Sequence, residues 1–310
     1  MGSVFLLPAI FAITAKAQIA SLNKPFAIDV IAESQIHLND KQSAIGKKHL
    51  VIGTGSVLYV GGMAGLYQLW YADYENQKFH FFNDGNEWLQ VDKFGHAFTT
   101  YQLSRLSNDA LLWAGFSHKQ ACVYGTGYAL LFQTTIEVFD GLSSAWGFSW
   151  FDMIANATGG GIFAGQQMAW QEQKVAIKFS YHVSPYANER PNILGNTPVT
   201  RLFKDYNGQT YWLSTTLNCW LPKSKLPQWF AISVGYGANG MTGGHTNPDL
   251  GKAYQRYRQF YISADIDLSR IKCKSKTLKA VLNTVNMIKI PMPTLGYDAH
   301  NGFKFYPLFF

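Results

Sequence analysis

Charge is scarce in this chain. Asp, Glu, Lys and Arg make up 15% of its 310 residues, against a usual share of about 25%. The shortfall does not signal disorder. Apolar residues reach 47% and aromatics 15%, so there is ample side-chain mass to fill a core. Cysteine is scarce too. Cys122, Cys219 and Cys273 are odd in number and far apart, which excludes a disulfide framework, a paired-cysteine zinc site and a redox dithiol. The chain carries no Walker loop, no dinucleotide fingerprint, no G-x-S-x-G and no H-E-x-x-H. The commonest nucleotide, hydrolase and zinc-protease chemistries therefore have no motif to rest on. Long apolar runs are few. A mean hydropathy of −0.06 excludes a chain made mostly of membrane helices.

The charge that is present leans positive, with 26 Lys and Arg against 19 Asp and Glu, a net +7. Its densest cluster is Arg270-Ile-Lys-Cys-Lys-Ser-Lys276, followed by Lys279. No zinc-finger, RNA-binding or homeodomain pattern surrounds it. A solvated or lipid-headgroup-facing edge is the expected role, and nucleic acid is not an expected partner. At the other end, Val4–Thr14 is almost wholly apolar and runs into Ala15-Lys16-Ala17. That pattern reads as a secretory signal cleaved after Ala17, although Met1-Gly-Ser carries no Lys or Arg. Export follows, to the periplasmic face of a membrane or to the outer membrane.

Residues 18–46 read as a polar lead-in. His49–Ala72 is 24 residues without a charged side chain, long enough either to span a bilayer or to form a buried helix. Gly61 and Gly65 give it a small face for close packing. Helices follow at Val91–Leu106, with Ser107-Asn108-Asp109 as a stop, at Gln120–Ile136, and at Trp150–Trp170 behind a Ser149 cap. Near residue 173 the period changes from helical to two. Val175–Val183, Tyr211–Cys219, Phe230–Tyr236 and Phe260–Leu268 alternate as strands. A short helix fits Lys276–Met287, Pro291 and Pro293 break the chain, and Gly302–Phe310 is a last candidate strand. The expected fold is α+β: a polar-cored bundle of about four helices over 47–173, then an antiparallel β-rich half over 174–310. About five or six strands fall short of the eight that most single-chain membrane barrels need, and Pro307 weakens the last one.

The informative residues are polar groups set in apolar helices. Asp92 and His96 are four apart and share a helix face, with Lys93 between them. Glu137 and Asp140 close the third helix. Asp152, Asn156 and Gly160 step along one face of the fourth. Charges in such places are costly unless paired or wet. If they converge at one end of a bundle, Asp92, His96, Glu137 and Asp152 are candidates for acid/base chemistry. Asp92, His96 and Asp152 are also candidate metal ligands, and Lys93, Asp140, Asn156 and Gly160 candidate binding residues. Structural roles stand beside these. Asp92 can cap its helix, Lys93 can bridge to Glu137 or Asp140, His96 can be a satisfied core histidine, and the glycines can serve only packing. The sequence names no cofactor.

Asp92-Lys-Phe-Gly-His96-Ala-Phe resembles the D-K-x-x-H signature of the VanZ-like and YfiM-like proteins. Glu137-Val-Phe-Asp-Gly141, followed by Asp152-Met-Ile-Ala-Asn156-Ala-Thr-Gly159-Gly160, resembles their second signature, an acidic residue and then D-x-x-x-N-x-x-G. The resemblance covers roughly residues 48–170 and is nearer to the YfiM-like proteins. It implies an envelope protein of unknown function and transfers no catalytic residue. This chain departs from the pattern by lacking a cysteine near the cleavage point and by adding the β-rich half. Together these features favour a non-enzymatic, membrane-associated envelope protein, with membrane lipid or another envelope protein as partner. One alternative is a metal- or acid/base-dependent enzyme acting on a lipid-linked phosphate or envelope glycan. Another is an outer-membrane β-barrel with associated helices.

Overall fold

Four long helices come first and a six-stranded sheet follows, with the change from helix to strand falling between Trp170 and Val175. This is the expected α+β order. The computed structural model describes residues 27–309 apart from Pro222 and Ser224, with side chains from residue 43 onward. The predicted signal, residues 1–17, lies outside the described residues.

Helix α1 runs Ala27–Leu66 and continues as a π-helical turn at Tyr67–Tyr71. It thus starts well before the uncharged run and takes in much of the expected lead-in. Over Ser43–Tyr71 it is long and apolar enough to cross a membrane, and only 17% of that apolar window is buried. The end that packs does so through Met63, Leu66, Trp70 and Tyr71, against Phe132 and Ile136 of the third helix and Phe203.

Helix α2 spans Val91–Trp113, α3 His118–Leu142 and α4 Trp150–Trp170. The expected stop at Ser107-Asn108-Asp109 is corrected, because α2 runs on to Trp113. Polar side chains there did not end the helix, since its backbone is packed: a Cβ on Gly125 of α3 would lie 2.8 Å from the Asn108 nitrogen. Tertiary contact overrides the local preference. Helix α3 begins with a capping box, Ser117 with Gln120. It ends at Leu142, two residues past Asp140. Helix α4 starts where Ser149 predicts, with the Ser149 hydroxyl accepting from the Asp152 amide at 3.1 Å. Gly159 lets α4 meet α2 at close range, since a Cβ there would lie 2.0 Å from the Ala97 carbonyl oxygen.

The strands are β1 Val175–Tyr181, β2 Gln209–Thr216, β3 Phe230–Asn239, β4 Tyr257–Ile266, β5 Met292–Asp298 and β6 Gly302–Phe309. Short helices α5 Pro191–Leu194 and α6 Pro198–Lys204 lie between β1 and β2, and α7 Lys276–Val285 between β4 and β5. Every strand pairs antiparallel with the next in order. The sheet is open, with β1 and β6 at its two edges. Pro307 is accommodated because β6 is an edge. Strand β5 falls where Pro291 and Pro293 led us to expect a break. Pro293 sits at a shift of register between Met292 and Thr294, where no ladder bond is required of it.

Helix α2 lies on the outer face of the sheet. Phe98 packs on Phe179 and Tyr211, both ring pairs at 5.8 Å, and Phe94 stacks on Tyr236 at 4.7 Å. The opposite face of the sheet mixes a buried aromatic cluster, Trp212, Tyr261 and Phe309, with buried charge. Lys178 and Asp265 are fully buried there and pair at 2.9 Å, with Ser214 and Ser233 donating to the same carboxylate at 2.6 and 2.9 Å. Lys289 closes the group by donating to the Ala264 carbonyl at 2.8 Å.

Candidate functional site

Helix α2 is entered through three consecutive left-handed residues, Trp88, Leu89 and Gln90, with φ of 47°, 50° and 67°. Non-glycine residues avoid this region, so the turn needs outside support. The sheet side supplies it. The Trp88 amide donates to the Gly244 carbonyl at 2.9 Å, the Tyr236 hydroxyl donates to the Leu89 carbonyl, and Arg258 donates to the Gln90 side chain at 2.7 Å. The turn places Asp92, Lys93 and His96 in the first two turns of α2, facing α3 and α4.

The polar residues expected to converge do converge. The Lys93 ammonium lies 2.7 Å from Asp84, 2.9 Å from Asp92 and 2.7 Å from Asp152. It does not bridge to Glu137 or Asp140 in the contacts described. His96 lies between α3 and α4. Its Nδ1 is 3.2 Å from Asn156 Oδ1 and 3.5 Å from Glu137 Oε1, and its Nε2 is 3.6 Å from Asp152 Oδ1. Asn156 Oδ1 also accepts from Thr100 and Gln133, both at 3.1 Å. Asp140 accepts from the Tyr71 hydroxyl at 2.8 Å. Gly160 stands apart from the polar groups and packs against Thr126, Thr100 and Leu130.

Five participants were not anticipated: Tyr71 and Thr100, which donate to Asp140 and Asn156, and Asp84, Ser149 and Gln133. Asp84, in the loop before α2, accepts from the Ser149 hydroxyl and pairs with Lys93. Ser149 was read as a cap, and it also gives its amide to Glu137 at 3.3 Å. Gln133 is the residue that sequence could have offered. It stands four before Glu137, in the uncharged run Gln120–Ile136, so the two share a face.

The cluster is sealed. Asp84, Asp92, His96, Glu137, Asp140, Asp152 and Asn156 are all buried, and the Lys93 side chain keeps 12% of its surface. Burial raises the Asp92 carboxyl to about 8 against the opposing pull of Lys93. Burial, with Asp152 and Asp140 nearby, lifts Glu137 well above the carboxylate range. Burial, with Lys93 nearby, lowers His96 to about 4. Burial pulls Lys93 down, but Asp92, Asp152 and Asp84 outweigh it and hold the ammonium above its usual range. Near neutral pH the centre therefore holds a charged lysine, a neutral imidazole and, at Asp84, Asp92 and Glu137, carboxyls whose ionisation burial opposes. Two trios have possible ligand atoms within 4.8 Å of one another, His96 with Glu137 and Asp152, and Asp84 with Asp92 and Asp152.

Residues 80–165 match the model of a family described as a predicted periplasmic lipoprotein, DUF2279. The match covers the whole cluster and little else. It supports an uncharacterised envelope family and bears out export to the periplasmic face. It does not carry the VanZ-like or YfiM-like name. No curated protein and no solved structure matches the chain.

A second feature is the apolar outside. Across the sheet, Leu213, Val234, Ile262, Leu295 and Phe305 stand in register as one row, and all five are exposed. Beside it runs Tyr211, Tyr236, Phe260, Tyr297 and Phe303. This second row begins buried beneath α2 and ends at Phe303, 75% exposed. Helix α7 adds Leu278, Val281 and Val285 on one outward face, next to the basic run at 270–279. Within that run Arg270 pairs with Glu172 and Asp267.

Proposed function

We propose that this is a non-enzymatic, membrane-associated envelope protein whose sheet and first helix face lipid. The observation that carries the reading is the inverted polarity of the sheet. A water-facing sheet turns its polar side outward and its apolar side to the core. Here Lys178, Asp265 and Lys289 are inside, and the row from Leu213 to Phe305 is outside. That row continues a layer of which α2 already covers one end, so its free end is apolar surface without a cover among the described residues. An apolar patch of this extent marks an interaction site. Two further features agree. Helix α1 leaves Leu50, Ile52, Val57 and Val60 exposed, and α7 joins an apolar stripe to a basic flank, the composition of an interfacial helix.

An enzyme acting on a lipid-linked phosphate is the weaker reading. His96 and its carboxylate neighbours are buried, so a substrate does not reach them in this conformation.

The test is co-flotation with phosphatidylethanolamine–phosphatidylglycerol vesicles, after purification in detergent and its removal. The wild type is expected to float. Ile262→Asp with Leu295→Asp, both at exposed positions, is expected to lose much of that binding while keeping its circular dichroism spectrum. A wild type that stays in solution without detergent, or a double variant that floats as well as wild type, overturns the proposal.

A further inference from the structure

The two ligand trios of the buried cluster differ in one respect. Asp84, Asp92 and Asp152 already surround a cation, the Lys93 ammonium, at 2.7–2.9 Å. His96, Glu137 and Asp152 surround none of their own, although Asp152, common to both trios, gives the Oδ1 that faces His96 to Lys93 as well, at 2.7 Å. In that second trio Glu137 Oε1 is buried without a hydrogen-bond partner, and its nearest described cationic or imidazole nitrogen is His96 Nδ1 at 3.5 Å. Asn156 Oδ1 engages Nδ1 of the same ring at 3.2 Å and leaves Nε2 facing Asp152 at 3.6 Å. Formal charge points the same way. Asp84, Asp92, Glu137, Asp140 and Asp152 bring five carboxyls into the interior, and among the described residues Lys93 is the one side-chain ammonium paired with them.

We propose that His96, Glu137 and Asp152 bind a divalent first-row cation as a buried centre joining α2, α3 and α4. One imidazole and two carboxylates suit zinc or manganese better than calcium, which takes oxygen ligands only. Ligand atoms bound at about 2.1 Å in a tetrahedron sit about 3.4 Å apart. Glu137 stands on the Nδ1 side of the ring at 3.5 Å and Asp152 on the Nε2 side at 3.6 Å, so an ion held by Nε2 requires the Glu137 carboxylate to swing toward that edge, and the three ligand atoms already lie within 4.8 Å of one another. Three protein ligands leave a fourth position for water or for the second oxygen of a carboxylate, and the burial of all three keeps that position away from substrate. Asn156 acts as a positioning residue that sets the ring, a role that outer partners of metal-bound histidines commonly play. The site includes Glu137 in place of Asp92, whose visible partner is Lys93. The inference is independent of the membrane reading.

The full chain in detergent, stripped with chelator, is reloaded with zinc or with manganese and passed through a desalting column. Bound metal is then measured by mass spectrometry and the melting temperature is recorded. The expected result is about one retained metal per chain and a higher melting temperature. Glu137→Gln, nearly the same shape, is expected to lose retention. Asn156→Ala is expected to weaken binding about tenfold. Asp84→Asn, which belongs to the lysine-filled trio, is expected to retain the metal. If the folded wild type retains neither metal, the proposal is overturned whether or not the variants fold. Retention by Glu137→Gln at the wild-type level overturns it as well.

Discussion

Replacing Lys93 by Met tests the centre most directly. The ammonium is the cation that three carboxyls share, at 2.7, 2.9 and 2.7 Å, and its side chain is 12% exposed. Methionine keeps the length and the apolar stem and removes the charge. Breaking a buried ionic network from one side costs about 3–5 kcal/mol, because the remaining charges lose their partner. Part of that cost can be escaped by protonation. Asp92 is already raised to about 8 by burial against the pull of Lys93, and loss of Lys93 pushes it further. An acid whose folded pKa is raised is destabilising when ionised, so the variant recovers as pH falls and suffers most as it rises. Denaturant unfolding of the metal-free protein in detergent, followed by circular dichroism, is therefore expected to show a larger penalty at pH 9 than at pH 5. Asp84→Asn in the same chain is expected to restore part of the loss. A penalty below about 1 kcal/mol, the ordinary value of a surface ion pair, at every pH would refute the reasoning.

Three further outcomes are expected. His96 is held neutral, with its folded pKa lowered to about 4, so its contribution is full above about 6.5 and lost as pH falls through 4. Relative to His96→Gln, the metal-free wild type should lose about 3 kcal/mol across that window, and a constant difference would contradict the assignment. Gly159→Ala should destabilise by about 1–3 kcal/mol or more through its clash with Ala97, whereas Gly161→Ala, with nothing within 4 Å, should stabilise by up to about 1 kcal/mol; comparing their melting temperatures checks both. Ser117→Ala should cost about 1 kcal/mol as an exposed cap, and Ser149→Ala about 1–3 kcal/mol more, because Asp84 also loses a buried partner. Equal losses in the two unfolding curves would show that Ser149 only caps its helix.

What the sequence made legible was whatever rests on local pattern. Ser149 marks the start of α4 because one hydroxyl meets one amide three residues on. Strands β1 to β4 show themselves by alternation, since one face of each is chemically unlike the other. Asp92, Lys93, His96, Glu137, Asp152 and Asn156 stand out because charge inside an apolar helix needs a partner. The misses came from contacts between distant segments. Helix α2 passes through Ser107-Asn108-Asp109 because α3 packs on its backbone at Gly125. Strand β5 exists in spite of Pro293 because β4 and β6 flank it. Asp84 lies in an aperiodic loop, so nothing in its neighbours shows that it will meet Lys93. Which way the sheet faces was not legible either. Alternation shows two different faces and does not say which one the chain turns outward.

The strained turn at Trp88–Gln90 joins these levels. Its three left-handed residues cost of order 1–3 kcal/mol each, and the groups that hold them, Tyr236, Gly244 and Arg258, belong to β3, β4 and the loop between them. The residues they hold in place open α2, where Asp92, Lys93 and His96 are drawn into the polar cluster. The helical bundle therefore does not set its own site unaided: the sheet fixes the angle at which α2 enters it. Tyr236 serves both regions, since its ring lies in the apolar layer against Phe94 and Phe260 while its hydroxyl supports the turn. One side chain and three residues of backbone thus join the exposed apolar face of the sheet to the buried cluster.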